Sequence, residues 1–441
     1  MAEITIIGGG LAGCEAAYQA ARLGCRVRLF EQRPHRSTEA HRTGGLAELV
    51  CSNSLRSDRP ESPVGALKEE LRIGGSVVLA AADAARVPAG QALAVDRTRM
   101  SAEVEARLQA TGAIEVVREE VSELPAAGVV VVATGPLTSA PLAAAIQALT
   151  GAERLYFYDA IAPIVAADSV DPARCFTADR YGKGDGDYLN CGLDAAEYRR
   201  FYEALMAAER VPLADFETPH YFEGCLPIEV LAERGVDTLR FGPMKPVGLT
   251  DPHTGRQPYA AVQLRAEDEA RTAFNLVGFQ TKLTYPAQER VFRLIPGLAE
   301  AEFLRLGSIH RNTYLDSPRC LTPEQEARAR PNLFFAGQMT GVEGYVESTC
   351  SGWLAGVAAA RRALGLGPLL PPRESSMGAM LAHTTGPVRA NFQPSNIHRG
   401  LYPPLADPPR KRHERRTAYC TRAIDAFARW HAENFVEAAR A

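Results

Sequence analysis

The chain lacks the marks of a secreted, membrane-spanning or disulfide-built protein. Its nine cysteines show no C-x-x-C pair and no paired spacing. That is the pattern of a reduced protein whose thiols mostly fill buried gaps, and no metal is expected. No apolar run is long enough to cross a bilayer, so no membrane association is expected. No basic segment followed by an apolar one precedes the first strand-like run, so no signal peptide is visible and a cytoplasmic location is expected. Charge of one sign is also missing: 49 Lys and Arg stand against 52 Asp and Glu, a net charge of −3. The whole-molecule field therefore does not announce a nucleic-acid binder, and a partner of that kind needs a local basic patch.

What the chain has is size and one strong local pattern. Its 441 residues are 46% hydrophobic, ample for a large core in two or three domains. An apolar run opens at Ile4 and leads into Gly8, Gly10 and Gly13, which fit G-x-G-x-x-G at the mouth of an Ala-rich helix. A second apolar run ends at Glu31, about 20 residues on, where a ribose-binding carboxylate is expected, with Arg33 beside it. Gly8 allows the tight turn, Gly10 lets backbone approach a pyrophosphate, and Gly13 lets helix pack on strand. Free N–H groups at the helix start then face the phosphates. Strand, helix, second strand and acid in register point to dinucleotide binding.

Two later segments extend the pattern. A β-branched run at 129–133 ends in Ala133-Thr134-Gly135, and 332–347 reads as strand, Gly-rich loop and helix start. The latter contains Gly337, Gln338, Gly341, Gly344, Tyr345, Val346 and Glu347. Strand-Ala-Thr-Gly and strand-Ala-Gly segments of this kind accompany the first fingerprint in flavoproteins, so the three pieces together argue for FAD rather than NAD. The expected fold is α/β: a Rossmann-type FAD-binding domain with an inserted α+β domain and a C-terminal helical tail. The expected division is 1–189 and 311–370 for the FAD-binding domain, 190–310 for the insertion, and 371–441 for a loop-rich segment and helix. Helices are expected over 64–73, 98–110 (capped by Thr98 or Ser101), 195–208, 285–294 and 348–363. Strands are expected at 238–241, 259–264 and 272–277. Apolar residues Ile424, Phe427, Trp430 and Phe435 recur at helical spacing in the tail, a stripe that suits core packing.

Two cysteines stand out by their surroundings. Cys51 and Cys225 lie in polar, turn-like segments with Arg56 or Glu229 nearby, rather than in apolar strands or helices. Reactive thiols favour partly exposed, electropositive settings; the local sequence also suits two small loop residues. Lys245, Lys282, Arg290, Arg311 and Asn312 are candidates for contacts to an anionic substrate, with Arg240, Arg293 and the basic run 409–416 as further cationic groups. Tyr345 suits stacking on a heterocycle as well as core packing.

Several long strings carry a resemblance: LVCSNSLR (49–56), YLNC (188–191), FEGCLPIE (222–229), LRFGPMKPVG (239–248), NLVGFQT (275–281) and GQMTGVEGYVES (337–348). In this order they resemble the folate- and FAD-dependent tRNA (uracil-5-)-methyltransferases of bacteria, over residues 4 to about 405. The related wobble-uridine modification flavoproteins are similar but much longer. The resemblance implies methylation of C5 of uridine 54 in the tRNA T-loop. It implies 5,10-methylenetetrahydrofolate as carbon donor, reduced FAD as reductant and NADPH or NADH as its source. It also assigns Cys225 as the nucleophile at uracil C6 and Cys51 as the second thiol. The expected partners are the tRNA T-arm and folate, with no stable protein partner. The thiols and flavin alone leave open a different tRNA uridine as target, or a flavin thiol oxidoreductase.

Overall fold

The run Ile4–Ile7 is buried on both sides, as a central parallel strand must be: Ile4 and Ile6 are fully enclosed and Ile7 nearly so. In the computed structural model, which describes residues 2–38, 40–151, 155–182, 186–211, 226–388 and 392–435, the strand Glu3–Ile7 is the middle of a five-stranded sheet. Arg26–Phe30 and Val129–Val132 flank it in parallel. Ile114–Val117 extends one edge and Leu333–Phe335 the other, also in parallel. The sheet therefore joins all three segments of the nucleotide pattern, although about 200 residues separate the last two in sequence.

Two helices decide how that sheet is covered. Leu11–Arg22 packs against Tyr345–Ala363 at backbone contact distance. A Cβ on Gly352 would stand 2.3 Å from the Ala12 carbonyl oxygen, and one on Gly356 2.6 Å from the Ala16 Cα. Glycines four apart on one helix thus face alanines four apart on the other. Ala140–Thr150 covers the opposite face, where Leu142 and Ile146 meet Ile7, Val130 and Val132. The tail helix Arg412–Phe435 closes the first core. Its Phe427 is fully buried, and the Trp353 ring lies 6.0, 6.3 and 5.6 Å from those of Phe427, Trp430 and Phe435. Phe427, Trp430 and Phe435 of the tail's apolar stripe are core packing.

A second sheet of six antiparallel strands runs in the order Cys175–Thr177, Tyr188–Leu193, Ala260–Ala266, Ala273–Leu276, Ile164–Ala166, Phe303–Arg305. Its apolar face, including Val165, Leu264 and Leu276, shares a separate core with the helices Ala195–Ala207 and Tyr285–Phe292. The passages between the two bodies, Leu155–Ala160 and Ile309–Tyr314, pair antiparallel.

Three expectations change. The division at 189/190 cuts through the strand Tyr188–Leu193, and the second sheet already uses chain from Ile164. A hydrogen-bonded ladder cannot be split between domains, so the boundary lies upstream of Ile164. Residues Thr238–Phe241 form a short helix, not a strand; four residues are too few for a period to show, and the Arg240 N–H to Asp237 O and Met244 N–H to Leu239 O bonds turn the chain. The helix Arg97–Ala110 is capped by Asp96, whose carboxylate accepts from the Thr98 and Arg99 amides at 3.0 Å, while Ser101 donates to Leu46 O.

The helix crossing yields a test. Gly356→Val should lower stability by about 1–3 kcal/mol through overpacking, because the added side chain meets Ala16 backbone that cannot yield. A thermal unfolding midpoint equal to wild type would contradict this packing.

Candidate active site

The glycine turn is built by contact. Gly8 has φ +107°, and a Cβ on it would lie 2.5 Å from Ala133 O; a Cβ on Gly13 would lie 1.8 Å from Gly8 O. Both positions exclude any side chain. Gly10 is different: a Cβ there meets nothing within 4 Å. That free space lies where the helix Leu11–Arg22 begins, with Gly10 as a cap that offers no side-chain acceptor to the first-turn amides. It opens on a groove walled by all three nucleotide segments. Gly8, Gly10, Glu31 and Arg33 line it from the first segment. Ala133 and Gly135 line it from the second, and Gly337, Gln338 and Tyr345 from the third. A row of free amides beside room for a pyrophosphate suits an ADP-containing cofactor.

Gly341, Gly344, Val346 and Glu347, expected at the cofactor, stand behind that wall. Val346 is core. A side chain on Gly341 would strike the Phe392 ring. Glu347 is fully buried, paired with Arg56, and accepts from the Ile397 amide at 2.9 Å. Gly344 sits against that pair. These residues shape the turn that starts the helix at Tyr345, three residues earlier than expected.

Glu31 is also used by the protein itself. Its carboxylate accepts from the Gly9 amide at 2.9 Å and from Arg33 N, Nε and Nη2 at 3.0, 2.9 and 3.1 Å. Four N–H donors fill its acceptor sites, so a ribose hydroxyl reaches it by displacing an Arg33 bond. Burial opposes the Glu31 charge, but the Arg33 hydrogen bonds and charge, with the Gly9 amide, outweigh it and hold the carboxyl below its ordinary range. Arg33, 1% exposed, also binds Glu48 at 3.0 Å. His41, in the same wall, is pushed down to about 4 by burial and then by the Arg33 charge, so its imidazole is neutral at pH 7.

The Cys51 loop borders this groove. Val50 lines it, Cys51 is half-buried, and the Cys51 and Ser52 amides both donate to the Tyr345 hydroxyl, at 2.7 and 3.0 Å. Tyr345 thus pins the thiol loop to the wall, a role its sequence context did not reveal. Arg97 donates to Leu49 O at 2.8 Å and pairs with Glu267 at 2.7 Å. Arg265 donates to Ser52 Oγ at 2.7 Å and Asn53 Oδ1 at 2.8 Å. Asn53 is fully buried and donates to Val95 O and Ala266 O, at 3.1 and 2.9 Å. Arg97, Arg265 and Arg305 all lie within electrostatic reach of Cys51. Sequence reading missed these three arginines. For Arg265 a signal was present, since with Gln263 it alternates with apolar residues along its strand.

The remaining candidates are dispersed. Cys225 lies outside the described residues. Downstream, Glu229 is fully buried and its carboxylate accepts from Thr281 Oγ1 at 2.9 Å and the Lys282 amide at 2.7 Å, which ties the FEGCLPIE and NLVGFQT segments together. Lys245 and Lys282 are half-buried in the second body. Arg290 forms an exposed pair with Glu209, which contributes little. Arg240 is spent on Tyr259 O and Asp237. Arg311 and Asn312 lie in the connecting strand Ile309–Tyr314, and their side chains are outside the described atoms. Among the described residues no group of three or more His, Cys, Asp or Glu is arranged for a metal, and no helix is long and apolar enough to cross a membrane.

A parallel sheet, a glycine turn at a helix start and a three-segment groove define a Rossmann-type dinucleotide-binding protein carrying a second, α+β body. Residues 3–367 match the family described as GIDA, glucose inhibited division protein A. The chain is 59% identical to the methylenetetrahydrofolate–tRNA-(uracil-5-)-methyltransferase TrmFO of Geobacter sulfurreducens, over 97% of this chain and 98% of that one. It is 56% identical to the protein of the same name from Moorella thermoacetica, over 96% and 97%. The solved structure of Aquifex aeolicus GidA shares the fold, with a TM-score of 0.69 at 18% identity over 97% of this chain and 73% of that one. The chain belongs to the family of methylenetetrahydrofolate–tRNA-(uracil-5-)-methyltransferases.

Two outcomes are expected of the groove. Gly10→Val should keep the wild-type unfolding midpoint yet weaken FAD binding roughly tenfold or more, a loss of about 1.4 kcal/mol or greater; unchanged flavin retention would show that the open space is not the cofactor's. Because the Glu31 carboxyl is depressed in the folded state, its contribution is present above the unfolded value of about 4.3 and lost as pH falls through the folded one. Glu31→Gln should therefore cost about 1–3 kcal/mol near pH 7, and the gap to wild type should narrow in acid. Urea midpoints at the two pH values that keep the same gap would refute the depressed carboxyl.

Proposed function

We propose that this chain methylates C5 of a tRNA uridine, uridine 54 of the T-loop, with 5,10-methylenetetrahydrofolate as the carbon donor. The observation that supports the reading is the anchoring of the Cys51 loop to Tyr345 of the groove wall, in a chain whose relatives bear the methyltransferase name. The first-turn amides at Gly10–Ala12 and the Gly8 turn would hold the FAD pyrophosphate, and Glu31 the ribose. When bound and reduced by NADPH or NADH, FAD supplies the hydride that completes the methyl group.

Uracil C5 is a weak nucleophile, and the protein's task is to activate it. Thiolate addition to C6 breaks the C5–C6 double bond and moves charge to O4, so that C5 attacks the one-carbon unit. A base then removes the C5 proton, the donor nitrogen leaves the one-carbon unit as C5 acquires an exocyclic methylene, and the thiolate leaves C6 when hydride adds to that methylene and the C5–C6 double bond re-forms. Cys225 is the thiol that adds to C6, and Cys51 is the second thiol of the site. Tyr345 and Arg265 hold the Cys51 loop in place, and Arg97 anchors it at Leu49. The protein acts on tRNA in the cytoplasm.

Reduced, FAD-loaded protein should release tritium from 5-tritiated uridine in tRNA only when methylenetetrahydrofolate is present; no release would sink the reading. Cys225→Ala should form no covalent adduct with T-arm RNA containing 5-fluorouridine. An adduct with that variant would move the C6 nucleophile to another residue.

A further inference from the structure

A polar row crosses the second sheet and faces the Cys51 loop. In strand register Arg265 stands opposite Asn275, Asn275 opposite Ile164, and Ile164 opposite Arg305. Residues directly opposite one another point to the same side of a sheet. Arg265, Asn275 and Arg305 therefore share a face, and the other face belongs to the second core. Arg265 reaches the loop residues Ser52 and Asn53 from this row, so the row looks toward the thiol site.

The other two polar residues of the row are unsatisfied. Asn275 is 3% exposed, and its Nδ2 has no hydrogen-bond partner among the described residues. Its Oδ1 has one long contact, 3.5 Å from Arg265 Nη2. The Nε and Nη2 of Arg305 are buried and also lack partners. These two N–H groups form one side of the guanidinium fork, the side that takes planar acceptors in pairs. Among the described residues Arg305 has no carboxylate partner, whereas neighbouring Arg97 has Glu267. Buried donors are rarely left unmade in native proteins, and three of them gathered in one row, beside Cys51 and Tyr345, ask for a ligand.

We propose that Arg305 and Asn275 form a recognition site for the lactam edge of a planar heterocycle, a ring carbonyl beside a ring N–H. The proposal rests on the methyltransferase reading and names residues for it. Asn275 Nδ2 donates to the carbonyl and its Oδ1 accepts the ring N–H. The Arg305 fork faces the oxygen on which negative charge grows when a thiolate adds to C6 of uracil. A backbone phosphate has no N–H to offer Asn275, so the carboxamide disfavours it. Two reactants carry the edge: the uracil of the tRNA and the pterin of the folate.

Arg305→Lys keeps the charge and removes the fork; Asn275→Ala removes the carboxamide. Each is compared with wild type as the FAD-loaded full chain, by KM for tRNA, KM for methylenetetrahydrofolate, adduct yield with 5-fluorouridine T-arm RNA, and tetrahydrofolate binding read from flavin absorbance. Flavin content and melting temperature should match wild type. An increase of about tenfold or more in KM for tRNA with lower adduct yield supports a uracil site, and the same increase for the folate with weaker tetrahydrofolate binding supports a pterin site. If all four readouts stay within about twofold of wild type in both variants, or change only together with flavin loss, the proposal is overturned. Should Asn275→Ala fail to fold, Arg305→Lys, which keeps the charge and most of the side-chain volume, decides alone. Wild-type protein without folate-dependent methylation would defeat the functional reading, while the two binding readouts, which need no turnover, would still decide the site.

Discussion

The backbone contact between Leu11–Arg22 and Tyr345–Ala363 is the constraint on which the rest depends. Gly352 and Gly356 remove the side chains that would hold these helices apart, and Ala12 and Ala16 meet them with little more than backbone. Close approach has two effects. It draws the third glycine segment onto the sheet that the first segment started, so one groove has walls from residues near 10, 135 and 338. It also delivers Tyr345, at the head of the second helix, to the Cys51 and Ser52 amides. Cofactor groove and thiol loop are thus set by the same crossing.

Around that frame, polar groups are buried in satisfied sets. Arg33 lies between Glu31 and Glu48, Arg56 meets Glu347, and Asn53 spends its carboxamide on two carbonyls and Arg265. Unpaired burial of any of these groups would cost more than the packing gains, so the sets act as fixed spacers. Arg265 and Asn53 are the point where the second sheet grips the loop of the first body. The donors of Asn275 and Arg305 differ from these sets in having no partner among the described residues.

Much of the fold was legible because its signals are short-range. The run at Ile4, the glycine spacing and the run ending at Phe30 report a β-α-β unit through steric needs that any chain shares. The apolar stripe at Phe427 and Trp430 reports a helix packed on a core. Errors fell where the local signal is weak or shared. Four residues at 238–241 carry no period. Asp96 outcompetes Thr98 and Ser101 as a cap because a carboxylate accepts two amides at once. The boundary near 190 failed because the strand Ile164–Ala166 belongs by pairing to a sheet whose other members come later in the chain.

The amino-acid sequence by itself determined the nucleotide fold and the three segments that meet at the groove, since each rests on residue types whose needs are local: glycine where no Cβ fits, apolar runs where a strand is covered. Only the tertiary structure decided what the charged and polar residues do. Glu31 already holds Arg33 and Gly9, so a ribose must displace one of their bonds; Glu347, expected at the cofactor, anchors Arg56; Tyr345, suited by sequence to stacking or to core packing, holds two amides. Arg97 and Arg265 hold the Cys51 loop at Leu49, Ser52 and Asn53, and Arg305 lies within electrostatic reach of the thiol. A hydrogen bond or ion pair depends on which distant groups the fold brings within about 3 Å, and no local pattern encodes that distance.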